Sequence, residues 1–183
     1  MQASQPHPAV RRVVTGTDGP GRSHVLMDGN PPQGFGAFLT SVWVTDRIPA
    51  DNSGTTDNAA RPVTLEPPPG GVQMVYFTVA PESESAETPA AEKEQSRAAR
   101  FEALGASHAR VDTSRHPGMH KTGTVDYVIL LSGEVDLVLD DGEVHLKPFD
   151  VVIQRGTNHA WVNRGTRTTL LAGVLIGAEP LGS

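Results

Sequence analysis

Residues 116–163 read HPGMHKTGTVDYVILLSGEVDLVLDDGEVHLKPFDVVIQRGTNHAWVN, and this stretch determines the fold. Its runs of alternating apolar residues, joined by a tight Asp-Gly turn, predict a series of short strands that includes a hairpin. The stretch also holds two groups of side chains of the kinds that can bind metal ions. The first group is His116, His120 and Asp126, and the second is His159 and Asn163. We therefore expect the chemistry of this protein to lie here.

The alternation of side chains along a strand predicts which of these residues share a face. If residues 120–130 are extended, His120 and Asp126 point to the same side. The later strand places three side chains on one face, namely those of His159, Trp161 and Asn163. If the two strands pack across a barrel, two imidazoles and one carboxylate converge. Such a set suits Fe(II), and also Mn, Ni or Zn, and leaves positions open for substrate, water or O₂.

Strand patterns also occur before this stretch. The segments that read as strands are residues 10–14, 23–28, 38–46 and 72–80. Residues 88–104 form the one convincing helical pattern, and Gly105 is its expected stop. Residues 47–71 are a long irregular segment with three consecutive prolines, which we expect to be a lid or else mobile. Many short strands separated by turn residues are typical of an antiparallel sandwich or barrel.

The spacing of the polar residues resembles the two motifs of the cupin superfamily. The residues that follow the first motif are His120, Thr122, Asp126 and Gly133. Those that follow the second motif are Gly142, Pro148, Asp150, Gly156, His159 and Asn163. The resemblance covers about residues 105–177. It implies an all-β fold, an antiparallel double-stranded β-helix or jelly-roll barrel with one outer helix, similar to the cupin-2 conserved-barrel proteins.

The resemblance also implies how the chain is organised. Residues 105–183 are expected to be the cupin core that carries both motifs. Residues 1–104 are expected to supply strands, the long loop and the helix that pack on this barrel, within one structural domain overall. Because such barrels often pair through strands, we expect a homodimer.

Four positions depart from the family pattern. Thr122 replaces the second His of the first motif, and Asp126 replaces its Glu. In the second motif, Gln154 replaces the usual Pro and Phe149 the usual Gly. The full set of three His and one Glu ligands therefore does not carry over. The residues that do carry over as metal ligands are His120, Asp126 and His159. The expected cofactor is a divalent ion, Fe, Mn, Ni or Zn.

Several roles stay open at this point. His116 is either a third imidazole ligand or an acid/base group at the mouth, and Asp126 is either a ligand or a carboxylate that moves a proton. Gln154 holds substrate, orients a ligand or makes a barrel hydrogen bond. The predicted catalytic residues are therefore His116, Asp126 and Gln154. The predicted substrate-pocket residues are Thr122, Trp161 and Asn163, with core packing as the alternative for Trp161.

The composition limits the kinds of partner that we expect this protein to bind. The formal net charge is −6 at pH 7, so nucleic acid, whose phosphates need a basic surface, is not expected to bind. The absence of cysteine excludes disulfides, thiolate ligands and a cysteine nucleophile. The N-terminal segment MQASQPHPAVRR lacks the apolar part of a signal peptide, and no run reaches the roughly 18 apolar residues of a membrane helix. We expect a cytoplasmic protein that binds a small molecule.

Three functions agree with these residues. The first is a metal-dependent enzyme of oxidoreductase or dioxygenase type that acts on a small carbonyl- or enol-bearing organic substrate. The second is a non-redox lyase or isomerase, in which a metal or a His/Asp pair polarises a carbonyl while His116 or Asp126 moves a proton. The third is a small-molecule binding protein without catalysis. A fold alone does not distinguish these functions.

Overall fold

The computed structural model of the chain describes residues 10–179, so the outermost residues of the predicted ranges 1–104 and 105–183 lie outside it. Within the described part, the N-terminal strands are β1 Arg12–Thr17, β2 Ser23–Gly29, β3 Gln33–Phe35, β4 Leu39–Thr45 and β5 Val72–Val79. A short 3₁₀ helix Glu82–Ser85, the helix α1 Ala90–Ala103 and a second 3₁₀ helix Ser107–Ala109 follow. The last strands are β6 Thr124–Ser132, β7 Val135–Leu139, β8 Glu143–Leu146, β9 Val151–Arg155, β10 His159–Val162 and β11 Thr169–Gly177.

These strands form antiparallel sheets that join the two halves of the chain. The six-stranded sheet has the order β3-β4-β5-β11-β6-β9, and the three-stranded sheet has the order β10-β7-β8. Strand β5 pairs with β11 over eight consecutive residue pairs, so N-terminal strands continue the sheet that carries the first motif. Strands β1 and β2 form a separate hairpin.

The two larger sheets pack face to face over an apolar core. The buried core cluster takes Val128, Leu130 and Leu171 from the six-stranded sheet and Val135, Leu137 and Leu146 from the three-stranded sheet. Phe77 of the large sheet and Trp161 of the small sheet touch with ring centroids 5.9 Å apart. This packing closes the antiparallel barrel.

Strand β6 shows the predicted alternation and a change in chemistry along its length. Its buried side chains are those of Thr124, Asp126, Val128 and Leu130, while Tyr127 and Ile129 are exposed. The inner face of β6 is therefore polar where the strand begins and apolar further on. The functional residues and the packed core share one strand face.

Helix α1 lies outside the barrel, as the sequence predicts. It begins at Ala90 with Pro89 as its N-cap, so the predicted range, with residue 88 as its N-cap, begins one residue too early. It ends before Gly105, whose φ of 67° favours glycine, and the predicted stop is confirmed. Arg100 places its guanidinium carbon 4.7 Å from the centre of the Phe38 ring, which ties the helix to the six-stranded sheet side of the molecule.

Within residues 10–179, no helix combines the length and the apolar character that crossing a membrane requires.

Candidate functional site

Two imidazoles from the two motifs lie side by side. His120 precedes β6 and His159 begins β10, and the two residues form an isolated antiparallel bridge. The N–H of His120 donates to the carbonyl of His159 at 2.8 Å, and the N–H of His159 donates back at 2.9 Å. The ring centroids are 4.3 Å apart. Reciprocal backbone bonds thus join the two residues that the sequence predicts to converge.

Backbone carbonyls fix the protonation of both rings. Nδ1 of His120 lies 3.0 Å from the Gly118 oxygen, and Nδ1 of His159 lies 2.9 Å from the Thr157 oxygen. Because a carbonyl only accepts, each Nδ1 carries the proton and each Nε2 keeps its lone pair. Burial lowers the pKa of His120, and burial together with the neighbouring His120 lowers the pKa of His159 to about 3. The pair is therefore uncharged near neutral pH.

Asp126 is a buried carboxylate on the inner face of β6, with only 6% of its surface exposed. Burial raises its pKa to about 6; the nearby polar side chain of Thr124 opposes this rise and the charge of Glu66 adds to it. The Oδ1 atom is buried and has no hydrogen-bond partner among the described residues. A carboxyl group that titrates this close to neutral pH and offers a free oxygen suits proton transfer.

The three predicted metal ligands do not form one ion site. Within residues 10–179, no group of three His, Cys, Asp or Glu side chains could hold a metal ion together. The imidazoles of His120 and His159 fit two positions of a divalent ion, because neutral Nε2 atoms are the form that binds metals. The ligand set that includes Asp126 stays a prediction.

Comparison with known proteins gives partial matches. No family model matches the chain. Over 65 residues the chain is 49% identical to Phomopsin biosynthesis cluster protein C' of Diaporthe leptostromiformis, and this match covers 34% of each chain. Over 46 residues it is 44% identical to the cupin-domain-containing oxidoreductase srdD of Neurospora crassa, which covers 25% of this chain and 24% of that one. The matches thus span about a third or less of the length of these relatives.

Several of the solved structures that match carry cupin names. A Cupin 2 conserved barrel domain protein from Salinispora arenicola is 16% identical, with a TM-score of 0.35, over 57% of this chain and 62% of that one. An RmlC-like cupin family protein with a double-stranded β-helix fold from Methanocaldococcus jannaschii is 12% identical, with a TM-score of 0.36, over 58% and 70%. TM-scores this low carry no argument by themselves. The antiparallel barrel, the motif spacing and the cupin-domain relatives agree with one another. This chain has the cupin fold.

In this cupin barrel, Gln154 connects Asp126 with the imidazole pair. Gln154 is buried and lies directly opposite Asp126 in the β6–β9 pairing. Its Nε2 donates to the Thr157 carbonyl at 3.2 Å and also to the Thr157 hydroxyl. The same carbonyl accepts the Nδ1 proton of His159. Gln154 therefore positions the turn that orients His159, and its predicted catalytic role stays a prediction.

His116 stands apart from the pair and has the opposite protonation. Its Nδ1 accepts a hydrogen bond from the Gly118 N–H at 3.0 Å, so the ring proton lies on Nε2. That Nε2 is 3.0 Å from a carboxylate oxygen of Glu82. Both ring nitrogens are thus occupied, and His116 has no free lone pair for a metal. Its predicted catalytic role stays a prediction.

The three predicted pocket residues differ in what they contact. Thr122 is buried and accepts a hydrogen bond from the Thr124 hydroxyl at 2.7 Å. Trp161 packs its edge against His159 at 5.7 Å between ring centroids and so forms a wall beside the pair. Asn163 is fully buried, and both ends of its amide are hydrogen-bonded. Its Nδ2 donates to the carbonyls of Val79 and Arg167 and to the Thr169 hydroxyl. Its Oδ1 accepts a hydrogen bond from the N–H of Gly165. These contacts give Asn163 a structural role between β10 and β11.

Two residues outside the motifs reach the site, and the sequence reading does not identify them. Phe101 of α1 packs its ring against His120 with centroids 5.3 Å apart. Glu66 of the long segment 47–71 accepts the N–H of Gly123 at 2.6 Å and pairs with His108 at 2.9 Å. Nothing in the local pattern around either residue marks it, since the helix reads as a solvated surface and the segment has no period. The helix and the long segment therefore both contribute to the site.

Proposed function

We propose that this chain is a cupin-type enzyme that moves a proton at the carbon next to the carbonyl group of a small organic substrate. One observation carries the proposal: Asp126 Oδ1 is buried on the inner face of the barrel and has no partner among the described residues. A buried carboxylate oxygen without a donor is costly, so a bound substrate that offers a proton at this atom is favoured.

The residues around Asp126 support this chemistry. Because the pKa of Asp126 is about 6, the carboxylate is mostly ionised at pH 7 and still basic enough to accept a proton. The C–H bond next to the carbonyl breaks, the proton goes to Asp126, and the electron pair forms an enolate. Return of the proton to another carbon gives isomerisation, and loss of a leaving group gives elimination.

The imidazole pair has a separate part in this proposal. Phe101, Trp161 and the backbone bridge fix His120 and His159, and both rings stay neutral. A divalent ion bound to their two Nε2 atoms would polarise the substrate carbonyl and make the neighbouring C–H more acidic. The walls of aromatic side chains exclude water from the substrate, which strengthens the interaction of each polar group with it.

A second candidate is oxidation of the same enol-bearing substrate. It is favoured by the relatives named cupin-domain-containing oxidoreductases in Neurospora crassa, Hypocrea virens and Aspergillus ruber. Their matches cover 25% to 34% of this chain, so the reaction of those proteins is a proposal here.

Exchange of deuterium into a small ketone tests the proposal. With protein purified without chelator and analysed for metal, NMR in D₂O measures exchange of the CH₂ protons of phenylacetone. We expect the Asp126→Asn variant to lose about 10²- to 10⁴-fold of the exchange rate, the usual contribution of a general base. The matched control is Asp141→Asn, in the exposed turn between β7 and β8, which should keep the rate.

The outcomes separate the three functions. Oxygen uptake in step with loss of substrate supports the oxidation. Equal exchange rates in Asp126→Asn and the unaltered protein contradict the role of Asp126. Tight ketone binding with neither exchange nor oxygen uptake identifies a binding protein without catalysis.

A further inference from the structure

A second buried oxygen without a partner lies on the same sheet face as Asp126. Among the described residues, Gln73 Oε1 and Asp126 Oδ1 are both buried side-chain oxygens with no hydrogen-bond partner. Gln73 of β5 pairs with Leu175 of β11, and Leu175 pairs with Asp126 of β6. Residues directly opposite each other in antiparallel strands point to the same face. Both side chains therefore belong to the inner face of the barrel.

The two residues are far enough apart to bind opposite ends of one molecule. Neighbouring strands are about 4.8 Å apart, so the backbones of β5 and β6, with β11 between them, are separated by about 10 Å. The buried side chain between them is Leu175, which is apolar. A small organic molecule with an apolar middle and two polar ends matches this order of polar, apolar and polar groups.

A cavity next to Gln73 provides room for the donor end of such a molecule. Its volume is about 280 Å³, and its walls include Gln73, Ser41 and Val44 of the large sheet. The long segment contributes Arg61, Pro62, Thr64, Glu66, Pro67 and Pro68. Glu66, one of these wall residues, is hydrogen-bonded to Gly123, three residues before Asp126. The cavity is close to the lower end of the volumes of about 300–1,000 Å³ that small-molecule sites have.

The hydrogen bonds around the cavity define the kind of group that Gln73 can bind. One N–H of its Nε2 donates to the Thr64 carbonyl at 3.3 Å. Its oxygen remains, and an amide oxygen accepts a hydrogen bond only from a donor. Arg61, the cation on the cavity wall, is paired with Asp46 at 2.6 Å and 3.2 Å. With Glu66 also on the wall, the cavity favours an uncharged donor over an anion.

We propose that Gln73 is a second substrate-binding residue, and that its ligand is an uncharged small molecule with a hydroxyl or amide N–H group at the end remote from its carbonyl. The donor group binds Gln73 Oε1, and the carbonyl end lies toward Asp126. The proposal rests on the proposed function, because that function places the reacting carbonyl at Asp126. It adds the substrate class and a residue that determines specificity.

A pair of matched ketones tests the assignment. 4-Hydroxyphenylacetone has a phenol O–H remote from its carbonyl, and 4-methoxyphenylacetone has the same shape without the donor. We expect the unaltered protein to bind the hydroxy compound about tenfold more tightly, the usual effect of one hydrogen bond to a buried acceptor. Calorimetric titration measures both dissociation constants.

Two variants of Gln73 distinguish a binding contact from a structural one. Gln73→Met keeps the side-chain length and removes the acceptor, so the preference for the hydroxy compound should vanish. Gln73→Glu keeps an acceptor and should retain a preference. If a substitution only loosens the segment around Thr64, it weakens the binding of both ketones by the same factor. The ratio of the two dissociation constants therefore measures the hydrogen bond to Gln73 alone. Thermal unfolding followed by circular dichroism verifies that each variant is folded.

Each outcome decides the matter. If Gln73→Met still prefers the hydroxy compound, the role of Gln73 is wrong. If the unaltered protein binds both ketones equally, or binds neither, the proposed ligand class is wrong. Deuterium exchange distinguishes this failure from a failure of the proposed function. If deuterium exchanges but the protein does not prefer the hydroxy compound, the proposed function stands and the role of Gln73 is wrong. If the protein prefers the hydroxy compound through Gln73 but no deuterium exchanges, the role of Gln73 stands and the proposed function is wrong.

Discussion

The two ends of the cupin barrel have opposite chemistry on the same inner surface. Where β6 begins, its inward side chains are Thr124 and Asp126, and Gln154 lies across from Asp126. Further along β6 the inward side chains are Val128 and Leu130, which pack against residues of the facing sheet. One end is thus filled with apolar side chains, and the other end has buried polar groups with free hydrogen-bonding capacity.

This difference explains how the barrel tolerates its site. Unpartnered buried oxygens such as Asp126 Oδ1 reduce the stability of a fold by about 1–3 kcal/mol each. The apolar end offsets this cost, because each fully buried aliphatic side chain stabilises the fold by about 1.5–3 kcal/mol. The apolar end also fixes the position of β6, so that the polar groups at its start keep their places.

Removing a side chain from the apolar end should have the largest effect on stability. Leu130 is 1% exposed and belongs to the core cluster. Leu130→Ala should lower the free energy of unfolding by about 2–5 kcal/mol, because it removes buried methyl groups and leaves a cavity. Urea unfolding followed by circular dichroism measures the change. The control is Ile153→Ala on the outer face of β9, where the side chain is 52% exposed and the loss should be much smaller. Equal losses at both positions would contradict the division of the barrel into two ends.

Replacing Asp126 at the polar end should raise stability in a pH-dependent way. The pKa of Asp126 in the fold is about 6, above its ordinary 3.8, so the folded protein keeps a proton that the unfolded chain releases. Stability therefore falls as the pH rises from about 4 to 6, and the full cost of up to about 3 kcal/mol is present above pH 6. Asp126→Asn should be more stable than the unaltered protein by up to this amount at pH 8, and nearly equal at pH 3.5.

His159 titrates in the opposite sense and sharpens this test. Its pKa of about 3 lies below the ordinary 6.5, so the unfolded chain binds a proton that the folded protein does not. This group makes stability rise with pH between about 3 and 6.5. Removal of Asp126 should therefore reveal a steeper rise of stability with pH, measured by urea unfolding at several pH values. If Asp126→Asn and the Asp141→Asn control have the same pH profile, Asp126 is not buried in its charged form.

The sequence predicts which residues line the apolar end of the barrel and some of those that form the polar end. Strand alternation is a property of the backbone, so the shared face of Asp126 and Leu130 follows from their positions alone. The convergence of His120 and His159 is likewise predicted from two strands and a motif spacing, and the structure places their rings 4.3 Å apart. These residues are predictable because regular strands fix the direction of each side chain.

The rest of the site depends on contacts between distant segments that no local pattern records. Glu66 reaches Gly123 from an irregular segment, and Phe101 reaches His120 from a helix that has no buried residue. Gln73 is different, because it shares the inward face of β5 with Val75 and Phe77, and a polar residue at an inward position is a signal that the sequence contains. The pairing of Gln73 with Leu175, which in turn pairs with Asp126, is what relates this polar residue to the site.

The smallest predicted effect concerns the turn that joins β8 to β9 at the apolar end. Phe149 has a φ of 76°, its side chain is 80% exposed, and its N–H donates to the Leu130 carbonyl at 2.7 Å. A residue with a Cβ atom in this left-handed region is strained by about 1–2 kcal/mol, whereas glycine is not. Phe149→Gly should therefore be more stable than Phe149→Ala by about 1 kcal/mol, since both variants remove the exposed ring and only glycine relieves the strain. Urea unfolding of the two variants measures this difference directly. A more stable alanine variant would contradict the strain assigned to this backbone angle.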